Sequence, residues 1–251
     1  MVDTFTIISL AGVATLAGFI DAIAGGGGLL TLPALLLSGF APVEALATNK
    51  MQGTAGSSSA AITFMAKGYI KFKQGLPIAL FAYTGGLLGA LLVSQLPKEK
   101  LQLAIPFLLV AVAVYLFFSP KMSNEEKKAK LPFFTFAAVI VSFIGFYDGI
   151  LGPGTGSFYM IAFISLLGYG VIKAISYTKL ANMFCNLGAL SIFAFQGHII
   201  LSVAIVMAVG ALIGAQLGSR FAIKYGTAIV KPMLIIMSLS MAAKLIWQQL
   251  A

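Results

Sequence analysis

Charge is scarce in this chain. Asp, Glu, Lys and Arg together make up 9% of its 251 residues, and only 7 of them are acidic. A soluble domain carries about 25% charged residues. So few charges cannot cover the surface of a water-soluble globule of this size, which excludes a soluble enzyme and a soluble nucleic-acid binder. Cysteine is nearly absent as well. Cys185 stands alone, so no internal disulfide can form and a disulfide scaffold is excluded. His198 is the single histidine, and no Cys/His cluster offers a metal site. Gly25 to Gly28 run into Leu29 and Leu30 rather than a GK[ST] ending, so they are not a nucleotide loop. With no catalytic Ser–His arrangement either, the chain is read as a non-enzyme without a cofactor. The ~10-residue alternating segments of a membrane β-barrel are also missing.

What remains is apolar. Hydrophobic residues make up 60% of the chain, and the mean hydropathy is +1.02. A bilayer-spanning helix needs ~20 such residues. The expected fold is therefore all-α, a polytopic helical membrane protein with the lipid bilayer as its first partner. The net charge of +9 then reads as loop lysines obeying the positive-inside rule, not as a nucleic-acid footprint. The N-terminal MVDTFTIISL has no basic n-region and is read as entering the first span directly, without a cleaved signal.

Apolar stretches run over 5–24, 29–38, 45–66, 75–96, 101–118, 131–151, 156–167, 174–196, 199–219 and 228–247. Two of them, 29–38 and 156–167, are too short to cross. Each follows a glycine-rich break, GGGG at 25–28 and GPGTG at 152–156. Glycine tolerates backbone that a helix does not, and proline lacks an amide hydrogen, so both breaks are expected to end a helix and free backbone polar groups. The polar loop 121–130 divides the chain, and the two sides are alike. GFIDAIAGGGG at 18–28 aligns with GFYDGILGPGT at 145–155, setting Asp21 against Asp148. After a two-residue slip, one offset aligns Gly39 with Gly168, Lys50 with Lys179, Gly68 with Gly197, Gly85 with Gly214 and Gly89 with Gly218. The reading is one four-element unit used twice, residues 1–120 and 131–251, forming a single membrane domain. If every element crosses, basic residues fall almost evenly on the two sides. If 5–38 and 131–167 each enter, break and return, only Lys98, Lys100 and Lys244 remain outside. Positive-inside therefore favours inverted repeats with re-entrant helices and both termini outside.

The breaks carry the first candidate chemistry. A half-helix starting inside the membrane points free N–H groups and a positive dipole end at its surroundings, which suits an anion. Gly25, Gly26, Gly27, Gly28, Gly152, Gly154 and Gly156 are the candidate binding glycines. The competing reading is close helix packing, which is preferred for Gly85-x-x-x-Gly89 and Gly214-x-x-x-Gly218. Polar residues in apolar helices come next: Thr48, Asn49, Lys50 and Gln52, and their counterparts Thr178, Lys179 and Asn182. Such groups line a pathway by default. The lysines either meet an anionic substrate or snorkel to the interface. Asp21 and Asp148 are the only acids inside membrane segments. They either carry a coupling proton or accept hydrogen bonds from the amides that the breaks release.

GFIDAIAGGGGLLTLPALLLSGFAPVEALATNK, GFYDGILGPGTGSFY and SYTKLANMFCNLG together resemble the TauE/SafE family of sulfite-exporter-like membrane transporters, and within it the YfcA-like subgroup. The resemblance covers essentially the whole chain. It implies a multi-pass protein of the cell (inner or plasma) membrane, with two homologous halves, that moves small anions. Sulfite, sulfoacetate and other sulfur-containing organic anions are the associated substrates. The matching glycines and the ATNK and YTK stretches are the implied functional positions. Pro153 and Thr155 depart from the glycines of the first break, so the halves need not make equal contacts. The expected function is a secondary transporter of a small sulfur-containing or carboxylate anion, by alternating access of two repeats and with a proton or another ion as coupling partner. The alternatives are a passive anion channel, or a membrane assembly factor that transports nothing. Substrate identity, direction and oligomeric state have no signature in the sequence.

Overall fold

The computed structural model describes residues 3–118, 125–225 and 247. Among them are nine helices and no strand. We number them α1 (Thr4–Ala24), α2 (Gly28–Leu37), α3 (Pro42–Ala66), α4 (Phe72–Val93), α5 (Lys98–Phe118), α6 (Phe133–Ile150), α7 (Thr155–Leu167), α8 (Val171–Phe195) and α9 (Leu201–Tyr225). The expected segments coincide with these to within a few residues, apart from 228–247, which lies almost wholly outside the described residues.

Four helices, α1, α4, α6 and α9, are long and apolar enough to cross a bilayer. α3 and α8 are longer than α1, at 25 residues each, but carry the polar residues along their interior faces. α2 and α7 have 10 and 13 residues. At 1.5 Å per residue they reach about 15 and 20 Å, against ~30 Å of hydrocarbon. Leucines, phenylalanines and isoleucines such as Phe72, Phe107, Phe143 and Leu217 are exposed around the outside, as lipid solvation demands.

Helix ends follow local chemistry. Asp3 caps α1 by accepting from the Thr6 amide at 3.3 Å. Pro42 opens α3, where a missing amide hydrogen costs nothing. Gly168, at φ 68°, closes α7 in the left-handed conformation. α6 contains a π turn over Phe136–Val141. Its last carbonyl, on Val141, accepts from the Tyr159 hydroxyl at 3.0 Å. The segment after the central polar loop is strapped to the end of α7: the Lys127 and Lys130 amides donate to Gly168 O and Leu166 O, both at 2.8 Å. Lys173 pairs with Glu126 at 3.0 Å and lies over the Tyr169 ring. Burial, reinforced by Tyr177 and Glu126, pushes the Tyr169 phenol up to about 12, so the ring stays neutral under that ammonium.

The helices interleave across the chain. α1 packs along α9 and α4 along α6, while α3 and α8 cross at the centre. Small residues let these backbones touch. A methyl at Gly214 would overlap the Thr15 carbonyl, and one at Gly89 would overlap that of Phe146. The two G-x-x-x-G motifs are thus helix-packing surfaces. Gly214→Val is expected to lower the melting temperature in detergent, by the ~1–3 kcal/mol typical of overpacking. Gly12→Val, where a side chain meets nothing within 4 Å, is expected to leave it in place. Equal melting of the two variants would contradict this packing.

Candidate functional site

The site begins where α1 stops. Gly25 and Gly26 take φ of 72° and 129°, which turns the chain out of the helix. The amides this releases find Asp21, one turn back on α1. Its Oδ1 accepts from Gly26 N at 3.0 Å and Gly27 N at 3.1 Å. The chain then re-enters a helix at Gly28. After α6 the same events recur at Gly152 and Gly154, with φ of 90° and 82°, before α7 begins at Thr155.

The two breaks meet. A methyl on Gly25 would overlap the backbone of Gly156, and one on Gly28 would touch Pro153 Cα at 3.6 Å. Ser157 Oγ donates back to Gly25 O at 2.9 Å and Ala24 O at 3.2 Å. Beside the junction lies a cavity of about 40 Å³. A single water needs roughly 10–15 Å³ on this measure, so the space holds a few waters or a small polyatomic ion. Of the sequence candidates, Asp21, Gly26, Gly27, Gly28, Asn49, Gln52, Asp148, Gly152, Gly154, Gly156 and Asn182 line it. Gly18, Gly53, Gly56, Thr155 and Asn186 join them.

Polar groups remain to be satisfied here. The amide N–H groups of Gly28, Gly152, Gly154 and Gly156 show no backbone or side-chain acceptor among the described residues. These are positions in a turn or at a helix start, where internal partners are missing. The Oδ1 of Asn182, a residue only 5% exposed, is likewise unpartnered. The Asn49 carboxamide has its oxygen engaged by Thr31 Oγ1 at 2.5 Å, while its nitrogen faces the Gly28 turn.

The remaining candidates stand behind this lining. Lys50 and Lys179 do not snorkel; both side chains are 1% exposed. They pair crosswise. Lys50 of the first half bonds Asp148 Oδ2 of the second at 2.7 Å, and Lys179 of the second half bonds Asp21 Oδ2 of the first at 2.8 Å. Each ammonium also donates to the backbone carbonyl of its own aspartate. A buried ion pair survives only when such additional bonds complete its geometry, and removing one partner costs about 3–5 kcal/mol. Thr48 lies off the cavity and accepts from Ile200 N at 3.2 Å, and Thr178 Oγ1 is buried without a partner. Gly25 serves the contact between the tips rather than the lining.

Sequence reasoning missed the crosswise pairing, although equivalent acids and equivalent lysines at the two repeat positions were its signal. It also missed Gly53 and Gly56, which lie one and two turns beyond Asn49 on the same face of α3. Asn186 follows Asn182 by one turn of α8 and shares its face; its Nδ2 donates to Asn182 O at 2.7 Å.

The sequence that builds this bundle is matched in known proteins. Residues 10–245 match the family described as Sulfite exporter TauE/SafE. This chain belongs to the TauE/SafE family. It is 44% identical to a protein of Sinorhizobium named probable membrane transporter protein ORF9, over 93% of this chain and 89% of that one. It is 42% identical to the probable membrane transporter protein YfcA of Escherichia coli K12, over 94% and 87%. A probable membrane transporter protein of Haemophilus influenzae is 39% identical, over 93% and 91%. No solved structure matches the chain. This TauE/SafE protein is a membrane transporter, and the junction of its two breaks is its candidate site.

The two glycines at that junction differ in a measurable way. Gly25→Ala meets both a positive φ and the Gly156 backbone, and is expected to lose roughly 2–4 kcal/mol of stability. Gly28→Ala has only ordinary contacts around its new methyl and is expected to melt within a few degrees of the wild type. Thermal unfolding in one detergent compares them, and a Gly25→Ala protein as stable as Gly28→Ala would contradict the tip contact.

Proposed function

We propose that this protein is a secondary transporter of a small oxyanion, a sulfite, sulfonate or carboxylate, working by alternating access of two inverted repeats in the inner membrane. The observation that carries the reading is the set of free N–H groups at Gly28, Gly152, Gly154 and Gly156, all on residues lining one cavity. Donors of this kind bind an anion without a charged side chain. The carboxamides of Asn49, Gln52 and Asn182 can add side-chain donors to the same space. The crossed lysines and aspartates cancel each other, so an empty site costs little electrostatic energy. Two helices of about half the hydrocarbon thickness would set the cavity near the bilayer centre, where rocking of one repeat against the other opens it to either side.

The reading also needs the two halves to be inverted. The relation of α1 with α9 to α6 with α4 supports it, because each half lends one helix to the other. So does the asymmetry of basic residues, which leaves Lys98, Lys100 and Lys244 alone on the outer side.

The test is flux. Purified protein in liposomes preloaded with methanesulfonate is expected to accelerate entry of labelled methanesulfonate, with saturation and counterflow stimulation. Asn49→Leu and Asn182→Leu are each expected to weaken half-saturation about 10-fold or more, the worth of one hydrogen bond to a charged group. Single-channel conductance without counterflow would replace the carrier with a pore.

A further inference from the structure

The two crossed ion pairs are not equal, and the difference lies in the two glycine turns. Asp21 holds its charge with three strong donors: Lys179 on Oδ2, and the Gly26 and Gly27 amides on Oδ1. In the second half, Pro153 stands at the position of Gly26 and has no N–H to give. Gly154, at the position of Gly27, keeps its N–H, but among the described residues neither it nor another amide of the 152–156 turn bonds the Asp148 carboxylate. Lys50 on Oδ2 is its one ionic partner.

The ionisable neighbours of Asp148 do not make up the difference. Tyr147, on the same helix, donates to Pro153 O at 2.6 Å. Tyr159 on α7 donates to Val141 O, and Cys185 on α8 donates to Asn182 O at 3.4 Å and also lies within reach of the Asp148 carboxylate, to which a neutral thiol is only a weak donor. From α4, only Gly86, Gly89 and Ala90 crowd the adjacent Gly149. Asp21, for its part, faces Lys179 on α8 as its charged neighbour. Asp148 lines the cavity and Lys50 lies directly behind it, close to Gly152.

We propose that Asp148, and not Asp21, is the carboxylate that takes up a coupling proton, and that the second turn makes it so, because Pro153 has no amide to give and the Gly154 amide does not reach the carboxylate. The idea rests on the anion-carrier reading above and deepens it. Taking a proton from water converts the Asp148 carboxylate to a neutral carboxylic acid and breaks its pairing with Lys50. Lys50 is then a buried ammonium without a counter-charge. An anion entering the cavity supplies that charge and accepts a hydrogen bond from the new O–H. When the anion leaves, the proton returns to water and the Lys50–Asp148 pair re-forms. Proton and anion each favour the binding of the other by the same factor, as linkage requires. One monoanion travels with one proton, and the cycle moves no net charge. Asp21 and Lys179 stay ionised throughout and hold the first break closed.

The experiment reads the carboxyl group directly. Infrared difference spectra of the purified protein are recorded as pH is lowered, with isotope-shifted aspartate identifying the carboxylic acid band. In an Asp3→Asn background, which removes the exposed aspartate at the head of α1, the protein is expected to gain one protonated aspartate band before it unfolds, and Asp21→Asn is expected to keep it. Asp148→Asn is expected to lose it, and Pro153→Gly covers the case in which that variant does not fold. Pro153→Gly retains every charge and restores an amide, which favours the ionised carboxylate. It is expected to show a weaker protonated band than its parent at the same pH. In liposomes, an inward proton gradient is expected to concentrate methanesulfonate, whose charge is constant over this range, with no response to membrane potential. A band lost in Asp21→Asn but kept in Asp148→Asn, or undiminished in Pro153→Gly, would overturn the assignment. Absence of methanesulfonate flux at every pH would overturn the carrier reading and the coupling with it, whereas the infrared result stands apart from flux.

Discussion

A backbone that breaks its helix inside an apolar medium must find new partners for its N–H and C=O groups, and the structure is organised around that demand. Two helices stop at glycine turns, and each stop frees amides. In the first turn an aspartate one helical turn earlier collects two of them. A lysine from the opposite half then balances the aspartate and ties the two breaks together. What is left over is small and specific: four amide hydrogens and an asparagine oxygen around a space of a few waters. The solvent that cannot reach them is what gives them value to a ligand.

The rest of the bundle serves this junction. The lysines reach their partners because α3 and α8, the polar helices, cross at the centre and are screened from lipid by α1, α4, α6 and α9. That screening depends on glycines such as Gly86, Gly89 and Gly214, which let the outer helices approach to backbone contact. The leading alternative role for the lysines, lying along the interface with their charge in water, is inconsistent with their complete burial. In the structure their charge is matched by the two aspartates.

Much of this was legible in the sequence, for physical reasons. Composition alone required a bilayer, because 9% charge cannot clothe a soluble surface. The breaks were legible because glycine and proline act locally, and the length of α2 and α7 followed from where they fall. Asp21, Lys50, Asp148 and Lys179 stood out because ionisable residues in apolar helices are costly. Their pairing was not read, since it depends on which helices cross, a long-range property. The same holds for Gly53, Gly56 and Asn186, which reach the cavity through the rotation of α3 and α8 about their axes. Polarity also marked Thr48 and Thr178, which do not line the cavity: Thr48 accepts from the Ile200 amide, and Thr178 Oγ1 is buried without a partner among the described residues.

The central claim is that an oxyanion occupies the space between the freed amides of the two breaks. Crystals of the protein grown with selenite, in place of sulfite, test it through the anomalous signal of selenium. The account predicts a single strong peak inside the cavity, with oxygens in hydrogen-bonding range of the Gly28 and Gly156 amides, which vanishes when sulfite is added in excess. A reproducible peak elsewhere on the protein, with that cavity holding only water, would contradict it.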